Sequence, residues 1–213
     1  MSQLGSDLEP TGITLADVTF IQQLRESECS SIFQVAVHGK TCVMKVYHSM
    51  EPSDADPPHR EVDIFKCKST AYRRLKAKGL CQQGIIPDFY GVIERIDLQT
   101  LPPPWQPYLC AFLKNKLSPN AVLIEYIPDM RRIDLSTFSE ARGAKLRDPP
   151  ERVLLIDFDR AQTSSEDLDA IPPRQREWIE EENEMIEWFV ENLALDCKDG
   201  KISRTWICDY EYV

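Results

Sequence analysis

The chain has 213 residues, of which 42% are hydrophobic and 28% charged, and its formal net charge at pH 7 is −10. That hydrophobic share is sufficient for a folded core and argues against disorder throughout the chain. Because phosphate groups repel an acidic protein, the charge disfavours general binding to nucleic acid or to anionic membranes.

The cysteine and histidine content gives little support for a zinc site or a disulfide framework. There are seven cysteines without a C-x-x-C pair, and only three histidines. The first residues lack the basic and apolar regions of a signal peptide, and no run approaches the ~20 apolar residues of a membrane helix. We therefore expect a cytoplasmic or nuclear protein with free, buried thiols and without a nucleic-acid or membrane partner.

Hydrophobic periodicity predicts an α+β chain behind a flexible tail at residues 1–14. Alternating apolar residues indicate strands, a tight turn is expected at His38–Lys40, and apolar residues at helical spacing indicate two helices. In chain order the predicted elements are strands at 19–24, 32–37 and 41–48, a helix at 62–77, one or two short strands within 85–96, strands at 121–127 and 153–158, and a helix at 174–195.

Three segments carry groups suited to chemistry. Lys45 lies in an otherwise apolar strand, where a buried ammonium group requires an anionic partner. Asp157 ends an apolar run, a position suited to a metal ion at a strand end. Glu125-Tyr126-Ile127 continues another apolar run. Each pattern also has a plain alternative: a solvated lysine, a strand entering a polar turn, and an ordinary buried strand.

The identity and order of these segments resemble those of protein kinases. The strand with Lys45 is similar to the V-A-I-K strand, the segment at Glu125 to the hinge, and Asp157-Phe158-Asp159 to the D-F-G motif, with Asp159 at the glycine position. More closely, the chain resembles a family of filamentous-fungal protein-kinase-like proteins, in STAYRRLKAKGLCQQGIIPDFYG (69–91), AVLIEYIPDMRRIDLSTFSE (121–140) and RVLLIDFDRAQT (152–163).

This resemblance implies a protein-kinase-like α+β fold. Residues 15–127 would form an N-terminal antiparallel β lobe with one helix, ending in the hinge. Residues 128–213 would form a truncated, mainly helical C-terminal lobe with the D-F-D strand and the C-terminal helix.

The resemblance also implies ATP and Mg²⁺ as ligands. Lys45 would then hold nucleotide phosphates, and Glu125, Tyr126 and Ile127 would lie at the adenine. Asp157 would bind Mg²⁺.

Two departures weaken the expected ATP site. The segment between the first two strands, residues 25–31, has no glycine, although close backbone approach to phosphate favours one, and it carries Glu26 and Glu28. Lys68 stands where the helix of the resembling family would supply the glutamate that pairs with Lys45. We therefore expect Lys45 to lack its orienting carboxylate.

The segment between the hinge and the metal strand is too short for a kinase catalytic loop. Residues 127–153 contain no histidine and no asparagine, both of which the H-R-D-L-x-x-x-N loop requires. Arg132-Ile133-Asp134-Leu135 is superficially similar to that loop. Asp134 is thus a candidate catalytic base, and an acidic residue near a helix N-terminus is the stronger interpretation.

Three functions follow as hypotheses. The first is a pseudokinase with weak or no ATP binding and a binding or regulatory role toward an unidentified protein partner. The second is an active ATP-dependent kinase that phosphorylates a protein or a small molecule. The third is a truncated, non-functional remnant.

Overall fold

The computed structural model describes residues 12–57, 60–99, 101, 105–130, 154, 156, 158–165, 167–201 and 203–204. Contacts within the chain define two compact units. The first comprises Met1–Pro128 and Leu154–Thr163, and the second comprises Asp129–Val153 and Ser164–Val213. The segment 154–163 therefore groups with the N-terminal residues and not with its neighbours in sequence.

A five-stranded sheet, in the order β1-β2-β3-β5-β4, forms the centre of the first unit. All of its neighbouring strands pair antiparallel. The strands are β1 (Val18–Glu26), β2 (Ser30–Val37), β3 (Lys40–Tyr47), β4 (Phe89–Ile93) and β5 (Asn120–Glu125).

The hairpin between β2 and β3 forms where the sequence predicts a tight turn. Val37 pairs with Lys40, so that His38 and Gly39 alone form the connection. Both have positive φ, 48° and 81°, as a type I′ turn requires. This turn fixes the register of β3 against β2, and with it the face on which each β3 side chain lies.

Helix α1 (Ile64–Ala77) confirms the helix predicted at 62–77. Its N-terminus is capped by Asp63, whose side chain accepts a hydrogen bond from the backbone N–H of Lys66 at 3.2 Å. Its C-terminus is followed by Gly79, whose φ of 78° is the left-handed conformation common after a helix.

The two faces of the sheet have separate cores. On one face Met44, Val46 and Phe33 pack with Trp105 and other residues of the 105–112 segment. On the other face Tyr47 and Val122 pack with Phe65 and Tyr72 of α1. The period of two along β3 therefore assigns its alternate side chains to different cores.

The two short helices that cover the first face of the sheet were not predicted from the sequence. They are the short helix α2 (Gln106–Leu109) and the 3₁₀ helix Cys110–Lys114. Helices this short lack the repeated apolar spacing on which sequence-based prediction depends. A further 3₁₀ helix, Leu15–Asp17, precedes β1.

Most of the predicted strands are present in the structure. The strands at 19–24, 32–37, 41–48 and 121–127 are confirmed with shifted ends, and 85–96 holds one strand. Of the strand predicted at 153–158, the described positions 154, 156 and 158 have no strand pairing. Residues 1–11 of the predicted tail lie outside the described residues.

The second unit contains helix α3 (Pro173–Asp199), which confirms the helix predicted at 174–195. Proline at its first position suits a helix start, because proline has no N–H and an N–H at that position would have no partner within the helix. Near its end the buried carboxylate of Asp196 accepts hydrogen bonds from the backbone N–H groups of Ser203 and Arg204. Among the described helices, none has the length and apolar composition needed to span a membrane.

Candidate functional site

The carboxylate of Asp159 lies between two lysine side chains in the first unit. Lys45 pairs with Oδ2, and the ammonium group of Lys68 lies 2.9 Å from Oδ1. The hydroxyl group of Tyr47 donates a further hydrogen bond to Oδ1, at 3.1 Å. We call these four residues the lysine–aspartate cluster.

Strand β3 places Lys45 and Tyr47 on the face that α1 covers. Met44 and Val46, which alternate with them, are fully buried in the opposite core. Tyr47 is itself buried among the α1-side residues, and the Lys45 ammonium group lies 5.0 Å from the centre of its ring. This contact adds a cation–π attraction to the ion pair.

Helix α1 supplies Lys68 from its buried face. Phe65, Lys68 and Tyr72 follow one another at spacings of three and four residues and are all buried, so they form one stripe along the helix. The middle position of this stripe carries a lysine, whose ammonium group reaches Asp159 at the end of a long side chain. Position 68 is thus the point at which α1 reaches the partner of Lys45.

The segment 158–162 holds Asp159 in place through two flanking contacts. The ring of Phe158 meets Tyr72 edge to face, with centroids 5.3 Å apart. Gln162 accepts a hydrogen bond from the N–H of Glu61 at 2.9 Å and donates one to its carbonyl oxygen at 3.0 Å. The residue before Asp159 therefore contacts α1, and Gln162, three residues after Asp159, is bound to the backbone that precedes α1.

The electrostatic environment favours the ionised form of Asp159. Burial by itself raises the pKa of this carboxyl group, but the attraction of Lys68 and the hydrogen bonds from Lys45 and Lys68 outweigh that effect. The pKa therefore lies below its ordinary value of 3.8. The exposed fractions of the Lys45, Lys68 and Asp159 side chains are 13%, 7% and 26%, so solvent screens these charges only partly.

The expectation that Lys45 lacks an orienting carboxylate is wrong. Lys68 does occupy the helix position where a glutamate was expected, but Asp159 supplies the anion that both lysines require. The physical reason is that two buried ammonium groups together are costly unless an anion is present. In the sequence this acid stands at the position where the D-F-G pattern has glycine. Only the fold brings it to the two lysines.

Of the residues predicted to lie at the adenine, Glu125 is hydrogen-bonded to the backbone of Asp88. Glu125 ends β5, and its backbone N–H donates to the carbonyl oxygen of Asp88 at 2.8 Å. Its side-chain Oε2 accepts from the N–H of Asp88 at 3.0 Å, which ties β5 to the residues before β4. Tyr126 and Ile127 follow the strand and are half-buried.

The connection between β1 and β2 is closed by its own hydrogen bonds. The N–H of Ser27 donates to the carbonyl oxygen of Ser30 at 2.9 Å, and the N–H of Ser30 donates to the hydroxyl oxygen of Ser27 at 3.2 Å. Two backbone N–H groups that a phosphate-binding loop would present are thus used internally. Glu26 and Glu28 are exposed.

The remaining candidates, Asp134 and Asp157, lie outside the described residues. In the part of the chain that the structure describes, no group of three or more histidine, cysteine or acidic side chains is arranged to hold a metal ion.

Comparison with protein-family models and with curated protein sequences gives no match for this chain.

Proposed function

We propose that this chain is a degenerate protein-kinase-like protein, a pseudokinase with weak or no ATP binding and a binding or regulatory role. The ion pair between Lys45 and Asp159 is the observation that supports this most directly. In the protein-kinase pattern, the strand lysine that Lys45 resembles binds the nucleotide phosphates. At the position of Asp159 that pattern has a glycine, which has no side chain. Here the ammonium group is already bound by a carboxylate.

The carboxylate of Asp159 opposes a nucleotide at Lys45, although the cluster as a whole has two ammonium groups. A polyphosphate that approached Lys45 would meet the negative charge of Asp159, and the two anions repel each other more strongly in a partly buried environment than in water. The β1–β2 connection adds no compensation, because the N–H groups of Ser27 and Ser30 are used internally and its exposed acids carry negative charge.

The sequence between the hinge and Asp157 supports the loss of phosphoryl transfer. Catalysis of this reaction depends on the positioning of the nucleophile and on stabilising charges around the phosphoryl group. Without the H-R-D-L-x-x-x-N loop, the chain lacks both the catalytic base and the second metal ligand of that motif.

An ATP-binding experiment tests this proposal. The purified chain is heated with and without ATP and Mg²⁺, and incubated with radiolabelled ATP and a mixture of protein and small-molecule substrates. We expect no ATP-dependent rise in melting temperature and no transfer. The double variant Lys68→Glu/Asp159→Gly restores the residues of the kinase pattern at both positions, and we expect it to gain an ATP-dependent shift.

The second candidate is an active kinase that uses Lys45, Asp134 as base and Asp157 for Mg²⁺. One observation favours it: with the ammonium groups of Lys45 and Lys68 and one carboxylate, the lysine–aspartate cluster carries a net positive charge, which attracts phosphate groups. Transfer of labelled phosphate that is lost in Lys45→Met and in Asp134→Asn would establish this function and overturn the first proposal.

A further inference from the structure

Ser165 is an exposed serine in an irregular stretch of the second unit. Residues 161–165 belong to no helix or strand. Within the described part of the chain, Ser165 makes one hydrogen bond: its hydroxyl oxygen accepts from the backbone N–H of Asp167 at 3.2 Å. The hydroxyl proton and the backbone N–H and carbonyl groups of Ser165 are therefore not used by other described residues.

Acidic residues follow Ser165 closely. In the sequence Glu166, Asp167 and Asp169 stand one, two and four positions after it, and residues 161–173 contain no lysine or arginine. Asp167 and Asp169 are exposed, and the carboxylate of Asp167 accepts a hydrogen bond from the N–H of Asp169 at 3.0 Å. Ser165 is thus presented to a partner together with negative charge on its C-terminal side.

This combination fits the substrate groove of an acidophilic Ser/Thr protein kinase, meaning an enzyme whose groove is basic where it binds the residues after the acceptor. Complementary charge brings such a pair together and disfavours wrong partners. A basophilic kinase, which reads basic residues before the acceptor, finds none at positions 161–164. A proline-directed kinase finds Glu166 where it requires proline.

Ser53 has a similar sequence pattern in a different conformation. It is exposed, and Asp54 and Asp56 follow it at one and three positions. However, the N–H of Ser53 donates to Oδ2 of Asp56 at 2.8 Å, and its carbonyl oxygen accepts from the N–H of Asp56 at 2.9 Å. Both backbone groups of Ser53, and one of the acids that a basic groove would bind, are therefore held in a closed turn.

The difference in backbone bonding matters because phosphoryl transfer depends on positioning. A kinase must place the acceptor hydroxyl in line with the γ-phosphate of ATP, so the backbone of the acceptor has to fit its cleft. At Ser53 two backbone hydrogen bonds must break first, whereas at Ser165 none of the acceptor's own backbone groups has a described partner. The structure thus separates two serines that the sequence pattern alone treats alike.

We propose that Ser165 is a phosphorylation site for an acidophilic Ser/Thr protein kinase and that Ser53 is not. Oγ of Ser165 attacks the γ-phosphorus of Mg²⁺-ATP, so that an Oγ–P bond forms and the bond from this phosphorus to the β,γ-bridging oxygen breaks. ADP leaves with that oxygen, and the hydroxyl proton passes to the catalytic aspartate of the kinase. The phosphoryl oxygens of the product are strong acceptors, so the N–H of Asp167 keeps a partner.

This inference is independent of the pseudokinase proposal, because another protein carries out the transfer. The test incubates the folded full chain with Mg²⁺-ATP and, in separate reactions, with an acidophilic, a basophilic and a proline-directed Ser/Thr kinase. Peptide mass spectrometry locates and quantifies the phosphate at each serine over time. We expect the acidophilic kinase to modify Ser165 at least about tenfold faster than Ser53, because of the two bonds that close the Ser53 turn, and the other two kinases to modify neither.

Synthetic peptides provide the reference without the fold. Peptides of residues 160–172 and 50–60 should be phosphorylated by the acidophilic kinase at similar rates, since both carry acids after the serine. Equal rates in the peptides and a large difference in the folded chain would show that the conformation selects Ser165. Equal rates at Ser165 and Ser53 in the folded chain, or no phosphate at Ser165, would overturn the proposal.

Two variants of the full chain identify the acceptor and the acid. Ser165→Ala should abolish the modification of this segment, whereas Ser164→Ala, the matched control, should leave it unchanged. Asp169→Asn removes an exposed charge and should slow the modification of Ser165 severalfold. Full incorporation in Ser165→Ala, or an unchanged rate in Asp169→Asn, would overturn the proposal. A reaction without added kinase is subtracted as background, so that transfer by the chain itself, which would contradict the pseudokinase proposal, is measured separately.

Discussion

The ammonium group of Lys68 lies 2.9 Å from Oδ1 of Asp159, although the two residues are 91 positions apart in the sequence. The same carboxylate also binds Lys45. Helix α1 thus contributes a cation beside the strand lysine, and the segment after Asp157 contributes the anion that balances it. Four measurable consequences follow from this arrangement and from the core around it.

Neutralising Asp159 will destabilise the chain. Asp159→Asn preserves the shape of the side chain but removes the negative charge that pairs with two largely buried ammonium groups, and breaking a buried pair of this kind costs about 3 kcal/mol. The free energy of unfolding is measured by urea titration with circular dichroism. The matched control is Glu51→Gln, which breaks the exposed 3.0 Å pair with Lys116 and should cost less than about 1 kcal/mol. Equal losses in the two variants would contradict the role of burial.

Acid will remove the same stabilisation. Because the pKa of Asp159 in the folded chain lies below 3.8, the unfolded chain binds more protons than the folded one between these two values. The stabilisation is therefore fully present above 3.8 and is lost as the pH falls through the lower, folded pKa. The difference in unfolding free energy between the unchanged chain and Asp159→Asn, measured from about pH 7 to about pH 2, should be constant at first and then shrink. A difference that stays constant to the lowest pH would refute the lowered pKa.

Gln162→Glu will loosen the segment 158–162. The change keeps the acceptor for the N–H of Glu61 but replaces the donor that faces its carbonyl oxygen with an acceptor, and a lost hydrogen bond of this kind costs about 1 kcal/mol. Cleavage by trypsin after the exposed Arg160, followed by mass spectrometry, should accelerate severalfold. Gln22→Glu on β1, which breaks the 2.7 Å side-chain bond to Gln34, is the control and should leave this cleavage rate unchanged.

Thiol labelling will separate the cysteines by burial. Burial raises the pKa of the Cys42 thiol to about 11, so almost no reactive thiolate forms near pH 8. The expectation that the thiols are buried is wrong for Cys29 and Cys110, which are exposed. Iodoacetamide followed by peptide mass spectrometry should modify Cys29 and Cys110 in the folded chain and Cys42 only after denaturation. Modification of Cys42 at the rate of Cys29 in the folded chain would show that the core of the sheet opens readily.

Local patterns were enough for most of the secondary structure. The two positive-φ residues His38 and Gly39 make a tight hairpin turn at the place where a glycine separates two apolar runs. Asp63 and Gly79 bound α1 with the capping interactions expected of these residue types. In contrast, α2 and the adjacent 3₁₀ helix lack a periodic pattern, and their place over the sheet depends on contacts of Trp105, Leu109 and Phe112 with the core.

The sequence by itself determined the α+β class, the strand that carries Lys45, the helix that carries Lys68 and the need for an anion beside a buried lysine. Only the tertiary structure decided which anion that is. Local patterns act over a few residues, whereas Lys45 and Asp159 are 114 positions apart and meet because the segment 158–162 docks against α1. Lys68 is a cation where the resemblance implies a glutamate, and Asp159 is an acid where it implies a glycine. In the fold these two charges balance each other.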